Sequence, residues 1–251
     1  MLSKKDKFCP HCGKAKELKQ VDFLGQHFEA YVSTCDCLKN KEKEEKEANQ
    51  VNKVTQEITK VMEKGNIGRR YYNADFANYQ SNPQNKAMFD ACKKFVKGFN
   101  KNDGMGLFLF GGVGCGKTHL AISIMKHLIA KGKKVSFYKS SGLYDEYKRT
   151  FAFNNDETGE IFLQKLKKVD LLIIDDLGTD RFDDRFNLFL YKVIDTRYND
   201  MSPIIITSNF NLNELSSVVD RRILDRLYSM CVQWGNNSSS YRSLVAQNYK
   251  I

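Results

Sequence analysis

Apolar and polar positions fall into blocks of two kinds along this chain. Short apolar runs at Leu107–Phe110, Val135–Tyr138, Leu171–Ile174, Ile204–Thr207 and Cys231–Gln233 are separated by segments of helical character. That alternation predicts an α/β fold, a parallel sheet wrapped by helices. Ahead of it, residues 38–64 are almost wholly charged and polar and contain neither Pro nor Gly. Val51, Val54, Ile58 and Val61 recur there at spacings of three and four, and Glu42 and Lys46 make an i,i+4 pair, which predicts a helix with one narrow apolar stripe. The stripe packs on its own domain or offers a face to a partner protein. Gly65 and Gly68 end that helix and mark a boundary. Earlier still, the aromatic and β-branched residues of VDFLGQHFEAYVS predict a short hairpin turning at Gly25. Three segments are expected: a small module over 1–37, a charged helical linker over 38–65 and an α/β domain over 66–251.

Composition narrows the partners. The 251 residues carry a formal net charge of +10, which favours an anionic partner, nucleic acid being the commonest for a basic protein. The opening MLSKKDKFC has no apolar stretch of the signal-peptide kind, and runs such as Leu171–Ile174 are far too short to span a bilayer. A cytoplasmic protein without membrane attachment is expected.

The chemistry centres on one loop. Gly111, Gly112, Val113, Gly114, Cys115, Gly116, Lys117 and Thr118 spell G-x-x-x-x-G-K-[ST] between an apolar strand and a helical pattern that opens at His119. Glycines let successive N–H groups close around phosphates, and the helix N-terminus adds partial positive charge. ATP and Mg²⁺ are therefore expected, with Lys117 on the β/γ-phosphates and Thr118 on the metal. The run Val169–Asp176 supplies a matching acidic strand end, where Asp175 would hold Mg²⁺ and Asp176 would polarise the attacking water. PIIITSN then delivers Asn209 at a strand tip, where an amide can orient water or γ-phosphate.

Four of the seven cysteines lie in the first 37 residues, as Cys9-Pro-His-Cys12 and Cys35-Asp-Cys37. Two such pairs suit one tetrahedral Zn²⁺, whose binding would supply the folding energy that so short a module cannot bury. His11 or His27 could substitute for Cys37, and a disulfide is the competing reading, disfavoured in a reducing compartment.

These motifs resemble the AAA+ ATPases, and within them the DnaC/DnaI-type loaders of the replicative helicase, over about residues 66–248. GGVGCGKTHL, LLIIDDLG, IITSN, RRILDRL and SYR carry the resemblance. It implies a sheet order of 5-1-4-3-2 and the first-sensor role for Asn209. It also implies that Arg222 is an arginine finger acting in a neighbouring subunit of an ATP-dependent oligomer, and that Arg242 is the second sensor. Most AAA+ proteins have Glu where this chain has Asp176, which puts fast hydrolysis in question. By the same resemblance the amino-terminal cysteine module contacts the replicative helicase, and single-stranded DNA runs along the side of the sheet near YKSSGLYDEYKRTFAF. Lys139, Lys148 and Arg149 are the candidate DNA contacts there, while Leu143, Tyr147 and Phe151 also fit the core face of a helix. The tract IGRRYYNADFANY could line an adenine pocket, with Phe76 as the candidate, or form a strap. Three other functions share parts of this pattern: a transposition-helper ATPase of the IstB type, an adaptor in which nucleotide is only a switch, and a zinc-ribbon regulator.

Overall fold

The computed structural model describes residues 7–23, 26–151, 156–180, 182–236, 238, 240, 241 and 243, and contacts within the chain divide it into two units, Met1–Thr55 and Gln56–Ile251. In the first, strands β1 (Glu17–Phe23) and β2 (Gln26–Val32) pair antiparallel from Glu17↔Val32 to Phe23↔Gln26. The expected turn at Gly25 lies outside the described residues. Helix α1 runs over Cys37–Lys64, as the unbroken polar tract predicts. Its ion pairs among the described residues include Lys41–Glu45 and Lys43–Glu47 rather than Glu42–Lys46. The apolar stripe is shallow: Val51 is exposed, Val54, Ile58 and Val61 are half-buried, and Met62 is the buried residue of the last turn.

The second unit alternates helix and strand: α2 (Lys86–Gly98), β3 (Gly106–Gly111), α3 (Lys117–Ala130), β4 (Val135–Lys139), α4 (Ser140–Phe151), α5 (Asp156–Lys167), β5 (Leu171–Asp175), α6 (Asp184–Asn199), β6 (Ile204–Ser208), α7 (Leu212–Leu215), α8 (Arg221–Met230) and β7 (Cys231–Asn236). The five strands from β3 onward pair in parallel in the order β4-β5-β6-β3-β7. Numbered from β3, that is the 5-1-4-3-2 order expected from the resemblance. β5 and β6 are buried at every position because helices cover both faces, which is why LLIID and IIITS read as continuous apolar runs rather than alternating ones. Leu143 and Tyr147 belong to this core together with Phe186, Phe189 and Leu190. They therefore follow the core-face reading of α4; the side chain of Phe151 lies outside the described residues.

One charged side chain holds the start of the sheet together. Arg197 of α6 is completely buried, and its guanidinium donates to the carbonyls of Leu166 at 2.8 Å, Val169 at 3.2 Å and Pro203 at 2.8 Å. It thereby ties the entries of β5 and β6 to α6 through backbone carbonyl acceptors. Burial pushes its pKa down to about 10.

Candidate functional site

The C-terminal ends of β3, β5 and β6 converge, which brings together the loop lysine, both aspartates and the amide that the sequence motifs single out. Gly116 sits in the left-handed region at φ +95° as the N-cap of α3, and a Cβ there would stand 2.7 Å from the Tyr79 ring, so only glycine fits. Lys117, the first residue of α3, turns its Nζ back onto the carbonyls of Gly111 at 2.8 Å and Gly112 at 2.9 Å and onto Asn209 Oδ1 at 3.0 Å. Thr118 Oγ1 donates to Asp175 Oδ1 at 2.9 Å. Thr207 Oγ1 also donates to that oxygen, at 2.6 Å. Burial raises the Asp175 carboxyl above its ordinary range, and the hydroxyls of Thr207 and Thr118 partly offset that rise.

Asp176 has a backbone conformation that non-glycine residues seldom adopt, with φ +64°. Its N–H donates to Thr207 Oγ1 at 2.9 Å, and its carbonyl accepts from Ser140 Oγ and Thr179 Oγ1, each at 2.9 Å. Three hydroxyls thus fix the turn, and the side chain accepts from Asn209 Nδ2 at 3.1 Å. Asn209 accordingly links the lysine of the phosphate loop to the second carboxylate.

A cavity of about 780 Å³ opens beside this cluster, lined by the loop from Val113 to His119 together with Asp176 and Asn209. Its far side comes from the tract 70–85, through Arg70, Tyr71 and Tyr79 among others. Phe76 is not in the lining: it packs against His127, 4.9 Å between ring centroids, and against Phe89. Among the aromatics that meet the loop, Tyr79 donates its hydroxyl to Cys115 O at 3.3 Å while its ring stacks on Phe89, and Tyr241 donates its N–H to Gly114 O at 3.1 Å. His119 lines the cavity and its Nε2 lies 2.8 Å from Asp75 O. Asn236, fully buried at the end of β7, holds the same Cys115 carbonyl through Nδ2 at 2.7 Å. Neither Tyr79 nor Asn236 carries a local sequence signal beyond an aromatic in a polar tract and an amide at a strand end. Arg242 lies outside the described residues.

Other expected residues stand apart from this cluster. Arg222 is exposed, pairs with Asp220 at 2.8 Å and lies over the Tyr191 ring at 4.7 Å. It borders a separate groove of about 610 Å³ with Phe182 and Leu188. Lys148 and Arg149 each meet a carboxylate three residues earlier on α4, Asp145 at 3.2 Å and Glu146 at 2.8 Å. Lys139 is half-buried at the end of β4, directly across the β4–β5 register from Asp175, whose charge it favours.

In the smaller unit the sulfurs of Cys9, Cys12, Cys35 and Cys37 all lie within 4.8 Å of one another. A tetrahedral zinc with sulfurs about 2.3 Å away sets those sulfurs about 3.8 Å apart, so the four residues fit one such ion. A bridge from Phe8 to Ala15, with Gly13 at φ +70°, folds the first knuckle, and Cys37 opens α1. The Ser33 hydroxyl holds the Cys35 thiol down at about 6, whereas hydrogen bonding to Cys12 and Cys35 pushes Cys37 up to about 12. Four crowded sulfurs cannot all ionise unless a cation joins them. Neither histidine belongs to the cluster, and His27 pairs with Asp22.

Comparison with known proteins gives a consistent result. The sequence profile of the family described as "IstB-like ATP binding protein" matches residues 20–248. The replicative helicase loader DnaC of Buchnera aphidicola subsp. Baizongia pistaciae is 31% identical over 195 residues, 76% of this chain and 78% of its own length. DnaC of Escherichia coli K12 is 28% identical over 75% of this chain and 77% of its own length. A crystal structure of the DnaC helicase loader superposes with a TM-score of 0.61 at 28% identity, covering 68% of this chain and all of that one. No helix among the described residues is long and apolar enough to cross a membrane.

Proposed function

Because this chain belongs to the IstB-like ATP-binding family, we propose that it is a cytoplasmic ATPase that loads the replicative DNA helicase onto single-stranded DNA. The observation that carries the reading is the joining of Lys117, Asp176 and Asn209 in one hydrogen-bonded cluster, in a chain whose relatives are helicase loaders over three quarters of their length. Those relatives favour loading over transposition help.

Lys117 binds the β/γ-phosphates after leaving the Gly111 and Gly112 carbonyls, and the N–H groups between Gly112 and Thr118 receive the remaining phosphate oxygens. Mg²⁺, held by Thr118 and Asp175, supplies charge neutralisation of the transferring phosphoryl group. Asp176 accepts the proton of the attacking water, and Asn209 positions that water beside the γ-phosphate. Arg222 acts on the nucleotide of a neighbouring copy, consistent with its exposure and its distance from its own chain's cluster, and Arg242 completes the site. Cys9, Cys12, Cys35 and Cys37 hold Zn²⁺, and their module docks on the helicase. Lys139, Lys148 and Arg149 face the DNA.

The reading is tested by mixing the purified chain with a hexameric replicative helicase from the same source. A complex that forms with wild type and is abolished by Cys12→Ser supports it, whereas co-purification with a transposase and no binding to the helicase would overturn it.

A further inference from the structure

The larger unit carries its cations unevenly. On α4 and α8 four cations are matched: Lys148 by Asp145, Arg149 by Glu146, Arg222 by Asp220 and Arg226 by Asp195. At the opposite end of the parallel sheet, where the strands begin, lysines gather without such partners. Lys97 lies in the last turn of α2, Lys131, Lys133 and Lys134 form the turn from α3 into β4, and Lys165 and Lys168 flank the end of α5. Among the described residues none of these six makes an ion pair.

Hydrogen bonds and ring contacts between the three segments make them one surface. Lys131 Nζ donates to Val96 O at 2.7 Å, beside Lys97. The Lys133 ammonium lies 5.8 Å from the centroid of the Phe99 ring. The backbone N–H of Lys134 donates to Asp170 Oδ2 at 2.7 Å, two residues beyond Lys168. Lys133 is half-buried and the other five are exposed. Asp170 and Asp200 favour the charge of the buried Arg197 guanidinium, and among the described residues neither forms an ion pair with these lysines.

Helix capping explains part of the arrangement, since cations are favoured at helix C-termini and Lys131 does meet a carbonyl there. It does not explain Lys133, Lys134 and Lys168, which lie past the helix ends. Nor do the nearby aromatics offer free stacking platforms: Phe95 and Phe99 of the α2 end are both buried, and the exposed Tyr198 ring at the end of α6 has the Arg226 guanidinium over it at 4.9 Å. Cations without exposed aromatic faces suit phosphates rather than bases, and a duplex presents one charge per about 1.7 Å of axis. We infer that this edge of the sheet is a second nucleic-acid surface, which holds the sugar-phosphate backbone of a DNA duplex without reading its sequence. It stands independently of the helicase reading. The length of a strand, about 15 Å, separates it from the nucleotide site, so both can be occupied together.

The test is anisotropy of a short labelled duplex titrated with full-length protein across a range of salt concentrations. Lys165→Glu/Lys168→Glu is the main variant, because neither side chain supports the fold through an ion pair; Lys131→Gln/Lys133→Gln/Lys134→Gln is the second. Both are expected to weaken duplex binding about tenfold or more and to flatten the salt dependence by about 0.9 in slope for each phosphate no longer neutralised. Lys43→Gln, on the exposed face of α1 where Lys43 pairs with Glu47, is expected to leave duplex affinity within about twofold of wild type, and binding of a fluorescent ATP analogue is expected to stay unchanged in the two rim variants. Unchanged duplex affinity and salt slope in both rim variants would overturn the inference. So would equal weakening for a single strand and the duplex, or an effect confined to vesicles of phosphatidylserine.

Discussion

Lys117 Nζ and Asn209 Oδ1 lie 3.0 Å apart, and the same amide donates through Nδ2 to Asp176 Oδ1 at 3.1 Å. One side chain therefore ties the ammonium proposed to meet the phosphates to the carboxylate proposed to activate water. On that proposal Lys117 leaves Oδ1 when it moves onto a phosphate, which frees Asn209 to turn toward the γ-phosphate and the water. Asn209→Ala is expected to leave ATP affinity within about threefold, since Lys117 keeps two carbonyls to exchange, and to slow hydrolysis about 10²-fold. Equilibrium binding of a fluorescent nucleotide beside single-turnover hydrolysis separates the two effects.

The two aspartates are expected to respond differently. Asp175 is buried and its folded-state pKa is raised, so the folded chain binds more protons than the unfolded one between the ordinary carboxyl pKa and the raised value. Asp175 thus costs stability above that window, and the cost is relieved as pH falls through it. Asp175→Asn is expected to raise the melting temperature of the nucleotide-free protein at neutral pH and to remove the stabilisation given by Mg²⁺ with ATP. Asp176→Asn is expected to keep that stabilisation while lowering turnover about 10²- to 10³-fold. Thermal melts with and without Mg²⁺-ATP, beside steady-state turnover, check both.

Zinc binding must compete with protons at Cys37, whose thiol is pushed up to about 12 when no cation is present. Affinity is therefore expected to fall as pH falls, because each ligand must be a thiolate. One zinc per chain is expected by elemental analysis, and Cys37→Ser is expected to lose it. Retained zinc in that variant would point to a fourth ligand other than Cys37.

Arg197→Ala leaves the carbonyls of Leu166, Val169 and Pro203 without their guanidinium donor. A destabilisation of about 2–4 kcal/mol is expected in chemical denaturation, with nucleotide affinity in the folded fraction unchanged. A value below about 0.5 kcal/mol would mean that water replaces the guanidinium.

What the sequence discloses follows the range of the interactions. The strand ends of Leu171–Asp175 and Ile204–Ser208, the loop from Gly111 to Thr118 and the helix Cys37–Lys64 are encoded by runs of neighbouring residues, and pattern alone locates them to within a residue or two. Tyr79 on Cys115, Asn236 on the same carbonyl and Ser140 on Asp176 join residues dozens of positions apart, so no local spacing reports them. Lys148 and Arg149 show the converse: both stand out in the sequence as cations, yet Asp145 and Glu146, one turn earlier on the same helix, pair with them. Arg197 reads as an ordinary surface residue of an amphipathic helix and is instead completely buried.

The most direct measurement is helicase loading. Purified replicative helicase from the same source, a closed single-stranded DNA circle and this chain are combined with ATP and Mg²⁺, and helicase retained on the circle is quantified. Wild type is expected to deposit helicase, Lys117→Ala to deposit none, and Cys12→Ser to fail despite intact ATP binding. Deposition that is equal with and without the chain, or equal for wild type and Lys117→Ala, would contradict an ATP-driven loader.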